Sequence, residues 1–191
     1  IFGWRRYREL TSEVAERRKA EAQARLLAET DALTGCLNRR SIGPATDALL
    51  ASSLSSGRAV AFIMLDLDNF KHVNDLHGHS AGDALLKEAA LRIQATIPED
   101  GLVARLGGDE FACVVPFDPD QALPIDELAD RLIQKVALPI EHQGAVFETT
   151  ISAGLTRSDG VDEAIDSQAL LHMADIAMYR AKKLGRNRYQ W

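Results

Sequence analysis

The stretch Leu102-Val-Ala-Arg-Leu-Gly-Gly-Asp-Glu-Phe-Ala-Cys-Val-Val115 constrains this chain more than any other. Two short apolar runs flank Gly107-Gly108, which predicts a β-hairpin with a tight primed turn, because glycine reaches φ > 0 without steric cost. Asp109 and Glu110 follow at once, so two carboxylates are expected at the tip of the hairpin. Adjacent like charges oppose one another, and a lone Gly-Gly-Asp would read as an ordinary polar turn. A second acidic strand end, Ile63-Met-Leu-Asp66-Leu-Asp68, shifts that reading. Two acidic strand ends are what a metal-assisted phosphoryl site requires.

Periodicity orders the rest. Residues 5–29 lack Gly and Pro and are rich in Ala, Glu and Arg, which predicts a helix. Tyr7, Leu10 and Val14 follow 3/4 spacing, but that register then meets Arg17 and Glu21. So short a seam suits a connector better than a permanent dimer zipper. Thr30 to Arg40 breaks the helix with Gly35 and several capping residues. A second helix is expected from about Arg39 to Leu54, with Pro44 near its first turn. Ser52 to Gly57 reads as a loop, and Ala59–Leu67 as a central strand buried on both faces. Phe70–His77 reads as short helical or irregular, and Ser80–Ile97 as a helix with apolar positions at Leu85, Leu86, Ala89, Ala90 and Ile93. After the hairpin come a helix near Pro124–Ala137 and a weaker hairpin around Gly144 that leads into a strand Ala145–Leu155. A helix Ala169–Leu184 and a last strand Arg188–Trp191 complete the chain. The order β-α-β-β-α-β with an extra small hairpin is the split-βαβ pattern. The expected fold is α+β: a ferredoxin-like domain over 30–191 with a central antiparallel sheet flanked by helices, preceded by a connector helix over 1–29.

At 191 residues the chain holds one full-sized domain plus an appendage, with 46% hydrophobic and 26% charged residues, an ordinary soluble composition. A formal net charge of −6 implies no general affinity for nucleic acid. Residues 1–29 carry seven Arg and Lys against five Glu, so the remainder is more acidic than the total suggests. An acidic domain that takes a polyphosphate must bring its own local cations and metal ions. Cys36 and Cys113 lie in no CxxC and have no His at ligand spacing, which reads as two buried, reduced cysteines. There is no signal-peptide pattern and no apolar run long enough to span a bilayer. Ile1-Phe-Gly-Trp4 followed by Arg5, Arg6 and Arg8 has two readings: the cytoplasmic edge of a membrane helix, or a solvated basic helix start. Because the sequence begins with Ile, a fragment of a longer protein is expected.

In a strand, Asp66 and Asp68 point to one face and Leu67 to the other. A hard cation such as Mg²⁺ takes about six oxygens, usually from one or two carboxylates plus phosphates. Asp66 with Asp109 on an adjacent strand could supply such a pair. Lys71 could meet a phosphate and Asn74 a base edge, although alone both are unremarkable loop residues. Gly78-His-Ser80-Ala-Gly82-Asp83 opens a helix, and Ser80 with Asp83 makes a capping-box-like pattern. Asp83 therefore has a structural reading beside a functional one, in which its carboxylate accepts from a guanine Watson–Crick edge. His72, His77 and His79 fit no structural zinc spacing. Lys182-Lys183-Leu-Gly185-Arg186-Asn187-Arg188 ends a helix with basic residues and a Gly cap, a common structural pattern.

From about Asp31 to Trp191 the chain resembles the GGDEF-type diguanylate cyclases. Five motifs match in order: Asp31-x-Leu33-Thr34-Gly35-x-x-Asn38-Arg39; Asp66-x-Asp68-x-Phe70-Lys71-x-x-Asn74-Asp75; Gly78-His79-x-x-Gly82-Asp83; Arg105-x-Gly107-Gly108-Asp109-Glu110-Phe111; and Lys182-x-x-Gly185-Arg186-Asn187. The resemblance implies a palm-type fold, like that of nucleotide cyclases and polymerases. It implies that Asp66, Asp109 and the Leu67 carbonyl ligate Mg²⁺ or Mn²⁺, two ions per GTP, with Glu110 assisting them or the attacking hydroxyl. Asn74 and Asp83 would read guanine. Lys71, Lys182 and Arg186 would hold phosphates, helped by backbone N–H groups near Asn69 and Phe70, and Arg105 would brace the hairpin. Asp109, Glu110 and Lys71 carry the expected catalytic roles.

The implied reaction condenses two GTP into cyclic di-GMP and two pyrophosphates in a transient homodimer of half-sites. The alternative is a non-catalytic GTP-binding module that regulates an adjacent domain. Many relatives carry an inhibitory Arg-x-x-Asp product site five residues before the Gly-Gly pair; here those positions hold Pro98-Glu-Asp-Gly101. The resemblance implies a cytoplasmic domain, for which an N-terminal membrane or sensor domain and a C-terminal phosphodiesterase domain are candidate neighbours.

Overall fold

The apolar run Ala59–Leu67 forms a strand buried along its whole length. Val60, Phe62 and Met64 enter one core while Ala61, Ile63, Leu65 and Leu67 enter another. That division is why the run shows no polar alternation. The computed structural model describes residues 2–121, 123–160 and 165–191. In chain order the elements are α1 (Phe2–Glu29), β1 (Leu37–Asn38), α2 (Arg39–Ser55), β2 (Ala59–Leu67), α3 (Phe70–His77) and α4 (His79–Thr96). The hairpin strands β3 (Leu102–Gly107) and β4 (Glu110–Phe117) come next, then α5 (Leu123–Val136) and a small hairpin of β5 (Ile140–His142) and β6 (Ala145–Phe147). The chain closes with β7 (Ile151–Arg157), α6 (Ser167–Lys183) and β8 (Arg188–Gln190).

The main sheet runs β1-β3-β4-β2-β7-β8. Its four inner strands pair antiparallel in the ferredoxin-like order, and the two short edge strands pair parallel to their neighbours. Helices α4 and α5 cover one face through Leu85, Ile93, Leu128 and Leu132. Helices α2 and α6 cover the other through Ile42, Leu170, Ala174 and Met178. Gly154 on β7 sets how closely α6 approaches: a Cβ there would stand 1.9 Å from the Ala174 carbonyl oxygen and 2.2 Å from the Met178 nitrogen. The middle of α6 is therefore held close against β7.

Helix α1 stands away from this body, with Trp4, Tyr7, Leu10 and Val14 all exposed. Its base is fastened by Asn38, whose Nδ2 donates to the Ala28 carbonyl at 2.8 Å while its Oδ1 caps α2. No helix among the described residues is long and apolar enough to cross a membrane. Ile1, part of the apolar edge read at the N-terminus, lies outside the described residues. Cys36 and Cys113 are both buried and unbridged.

Three local expectations need correction, the first being the loop read over 52–57, which is helical through Ser55 as the end of α2. The strand expected over 145–155 is two strands, β6 and β7, separated at Glu148–Thr150. Hydroxyls of Thr149 and Thr150 donate to the Asp68 carbonyl and carboxylate at 3.0 and 2.6 Å, turning the chain there. Ser80 caps nothing: α4 begins at His79 with Gly78 (φ +85°) as its N-cap, and the Ser80 hydroxyl pairs with the His142 ring at 3.1 Å.

Candidate active site

Asp66 and Glu110 lie directly opposite each other on paired strands β2 and β4. One residue further on, the Leu67 N–H donates to the Asp109 carbonyl at 3.1 Å, so the hairpin tip is fastened to the end of the central strand. The turn is shifted by one residue from the expected Gly107-Gly108. Gly107 pairs with Glu110 across a bulge, leaving Gly108 and Asp109 as the turn residues. Gly107 (φ +136°) and Gly108 (φ +52°) take backbone shapes that side chains resist, which is why the pair is glycine. The shift draws Asp109 and Glu110 inward, and both are half-buried rather than exposed at the tip.

Asp66 extends the alternation Val60-Phe62-Met64 and so faces α6. There Lys182 sets its Nζ 2.9 Å from Asp66 Oδ2. Burial and the charges of Asp109 and Glu110, only partly offset by Lys182, push the Asp66 pKa up to about 6. With Asp109 and Glu110 both acting on Asp66 and only Lys182 paired to it, the strand end carries an excess of negative charge that suits a hard divalent cation. Among the described residues no three acidic, His or Cys side chains converge closely enough to hold an ion by themselves. A cation here would complete its shell with the Leu67 carbonyl, water and phosphate oxygens.

Asp68 differs from Asp66 despite the shared motif. Its carboxylate accepts from the Thr150 hydroxyl at 2.6 Å, the Ser152 hydroxyl at 2.7 Å and the Asn187 N–H at 3.1 Å. Arg186, on a left-handed turn (φ +62°), approaches it at 3.9 Å. Asp68 is thus the post to which the end of α6 is tied, and this tie carries Arg186 and Lys182 to the site. The sequence offered no sign of these hydroxyl partners, which lie more than eighty residues away.

Asn69, also left-handed (φ +58°), turns the chain into α3 without a side-chain cap. The amides of Phe70 and Lys71 therefore have no intrahelical acceptors and point outward from the helix start. Lys71 is exposed on this first turn. Asn74 lies against Gly82 across the α3–α4 junction and is half-buried, while Asp83, next to Gly82 in the chain, is exposed. Pro98, Glu99 and Asp100 form an exposed turn before β3, where Asp100 pairs with Arg58 at 2.9 Å. At Gly101 a Cβ would stand 2.6 Å from Ile97 Cγ2, so this turn has no room for a larger residue without movement. The structure thus gathers Asp66, Leu67, Asp109, Glu110 and Lys182 at one strand end, with Asn69, Phe70 and Lys71 at the adjoining helix start.

A family model described as "Diguanylate cyclase, GGDEF domain" matches residues 28–188. The chain is 34% identical over 180 residues to the diguanylate cyclase DgcM of Escherichia coli, covering 94% of this chain and 42% of that protein. It is 35% identical over 178 residues to the cyclic di-GMP phosphodiesterase PdeR of the same organism, covering 93% of this chain and 26% of PdeR. The chain therefore spans less than half the length of either relative. The coiled coil and GGDEF domain of DgcB from Caulobacter crescentus, solved in complex with c-di-GMP, superposes with a TM-score of 0.86 at 27% identity, covering 97% of this chain and 96% of that one.

Proposed function

Because the chain belongs to the GGDEF domain family, we propose that it is a diguanylate cyclase, condensing two GTP into cyclic di-GMP and two pyrophosphates. The observation that carries this reading is Asp66 set opposite Glu110, with Asp109 beside them and Lys182 2.9 Å from Asp66. Asp66, Asp109 and the Leu67 carbonyl would hold Mg²⁺ or Mn²⁺, assisted by Glu110. Such ions, when bound, acidify a 3′-hydroxyl and offset the charge of a leaving pyrophosphate. The 3′-oxygen of one GTP bonds to the α-phosphorus of the other, the bond to pyrophosphate breaks, and the hydroxyl proton leaves to Glu110 or water. The same step with the roles of the two nucleotides exchanged closes the ring and releases the second pyrophosphate. Lys182 releases Asp66 and turns to the phosphates, joined by Lys71, Arg186 and the amides near Asn69 and Phe70. Asn74 and Asp83 select guanine.

Each chain holds one GTP, so two copies must meet head to head. Residues 30–191 carry the chemistry and residues 1–29 connect it to its input. The match to PdeR supports a second reading, a GTP-binding module that regulates a neighbouring domain. Incubation with GTP and Mg²⁺, followed by mass analysis of the product, separates the two. Cyclic di-GMP supports the cyclase, whereas bound but unconverted GTP supports the regulatory module.

A further inference from the structure

We propose that Gly82 is a positioning residue for guanine selection, because its missing side chain is the space that the Asn74 carboxamide occupies. This rests on the cyclase reading, in which Asn74 and Asp83 face the base. Asn74 lies in the second half of α3 and Gly82 in the first turn of α4, with the Gly78 break between them. A Cβ on Gly82 would stand 1.8 Å from Asn74 Oδ1, 2.8 Å from Cγ and 3.3 Å from Nδ2. The three nearest atoms outside the helix's own backbone all belong to the carboxamide, so it is what fills the position.

The backbone does not ask for glycine. Gly82 lies inside α4 and is absent from the positive-φ positions. Glycine within a helix is destabilising relative to alanine, so its presence here works against helix stability. Asn74 has no side-chain hydrogen bond among the described residues, and neither has its neighbour at the junction, Asp83. Shape against the Gly82 backbone, rather than a polar tie, is therefore what sets the direction of the carboxamide. Asn74 is half-buried, and no hydrogen bond among the described residues holds its side chain in place against an added methyl. An added methyl at 82 swings the carboxamide away and leaves α4 intact.

The test compares parent, Gly82→Ala, Asn74→Ala and the double variant by GTP binding, GTP-against-ATP selectivity and thermal melting. The expected result is a Tm for Gly82→Ala equal to or above that of the parent. Its KM for GTP rises about tenfold or more, its kcat at saturation changes little, and its GTP-over-ATP preference falls as far as in Asn74→Ala. The double variant should be no worse than Asn74→Ala alone, since both changes remove one contact. Additive losses, or full selectivity retained by Gly82→Ala, would overturn the proposal. So would a drop in Tm that persists in the double variant, because the clash would then lie elsewhere. A parent chain that binds no GTP would instead overturn the cyclase reading itself.

Discussion

Arg105 and Asp31, 74 residues apart in sequence, are joined by contacts of 3.1 and 3.3 Å from Nη1 to the two carboxylate oxygens. The same guanidinium donates from Nε and Nη2 to the Gly108 carbonyl at 3.0 and 2.8 Å. Asp31 sits two residues beyond α1, and Gly108 carries the turn that presents Asp109 and Glu110. One planar fork thus ties the foot of the connector helix to the acidic hairpin, a geometry a lysine could not reproduce.

Loss of that fork should affect activity more than folding. Arg105→Ala is expected to lower product formation more than tenfold and stability by about 1–3 kcal/mol, the usual cost of a part-buried charged hydrogen bond. Burial raises the Asp31 pKa, but hydrogen bonds from Thr34 and the Arg105 charge outweigh it and hold the carboxyl below its ordinary value. A depressed acid stabilises the fold above its unfolded pKa, and that stability is lost as pH falls through the folded pKa. Melting of Asp31→Asn should therefore fall short of the parent at pH 7, and the gap should close in strong acid. An equal gap at both pH values would sink the assignment.

Asp66 has the opposite sign. Its pKa of about 6 lies above the ordinary carboxylate value. The folded chain therefore holds the proton longer than the unfolded one, and this group's contribution to stability falls as pH rises from about 4 to about 6. Without divalent ions, Asp66→Asn should melt higher than the parent at pH 7.5 and lose any stabilisation by Mn²⁺. Mn²⁺ affinity of the parent should climb as pH passes about 6. A flat affinity across that range, read by calorimetry, would count against Asp66 as a ligand.

Asp109→Ala and Glu110→Ala should each lower product formation by about a hundredfold or more, since these charges act where phosphate charge develops. Circular dichroism and Tm should stay near the parent, because each change also removes a like-charge neighbour of Asp66. Normal turnover in both variants would exclude this site.

Specific activity should rise with protein concentration. Tyr7, Leu10 and Val14 form a short exposed seam on α1, and the register then passes to the Arg17–Glu21 ion pair. So brief an apolar stripe gives weak pairing, and a reaction that needs two copies then follows mass action. Specific activity unchanged over a hundredfold dilution would mean a stable dimer.

Strong product inhibition should be absent at the turn before β3. A ligand with phosphate charge calls for an arginine fork, and Pro98 supplies neither charge nor N–H. Glu99 and Asp100 repel an anion, and the tight fit around Gly101 excludes an aspartate there without movement. Initial rates at saturating GTP should hardly respond to added cyclic di-GMP. Non-competitive inhibition at low micromolar product would show that other arginines have built a replacement site.

The fold class and the two acidic strand ends were legible from local pattern alone, whereas Lys71, Asn74, Asp83, Lys182 and Arg186 gained their roles only from the family resemblance. A nine-residue apolar run bounded by turn residues and acids reads as a strand covered on both faces, and a glycine pair between two apolar runs reads as a hairpin turn. Both facts are properties of neighbouring residues, so the order of elements and the two acidic strand ends followed from the sequence. Tertiary structure decided what depends on register and on distant partners. A one-residue shift in the hairpin drew Asp109 and Glu110 inward. Three ligands from far along the chain made Asp68 a structural post, while its near twin Asp66 stayed free for Lys182. Gly82 carries no chemistry of its own, and its meaning appears only where two helices meet and the Asn74 carboxamide fills the gap. Contacts of this kind are set by packing between elements, and no periodicity along the chain encodes them.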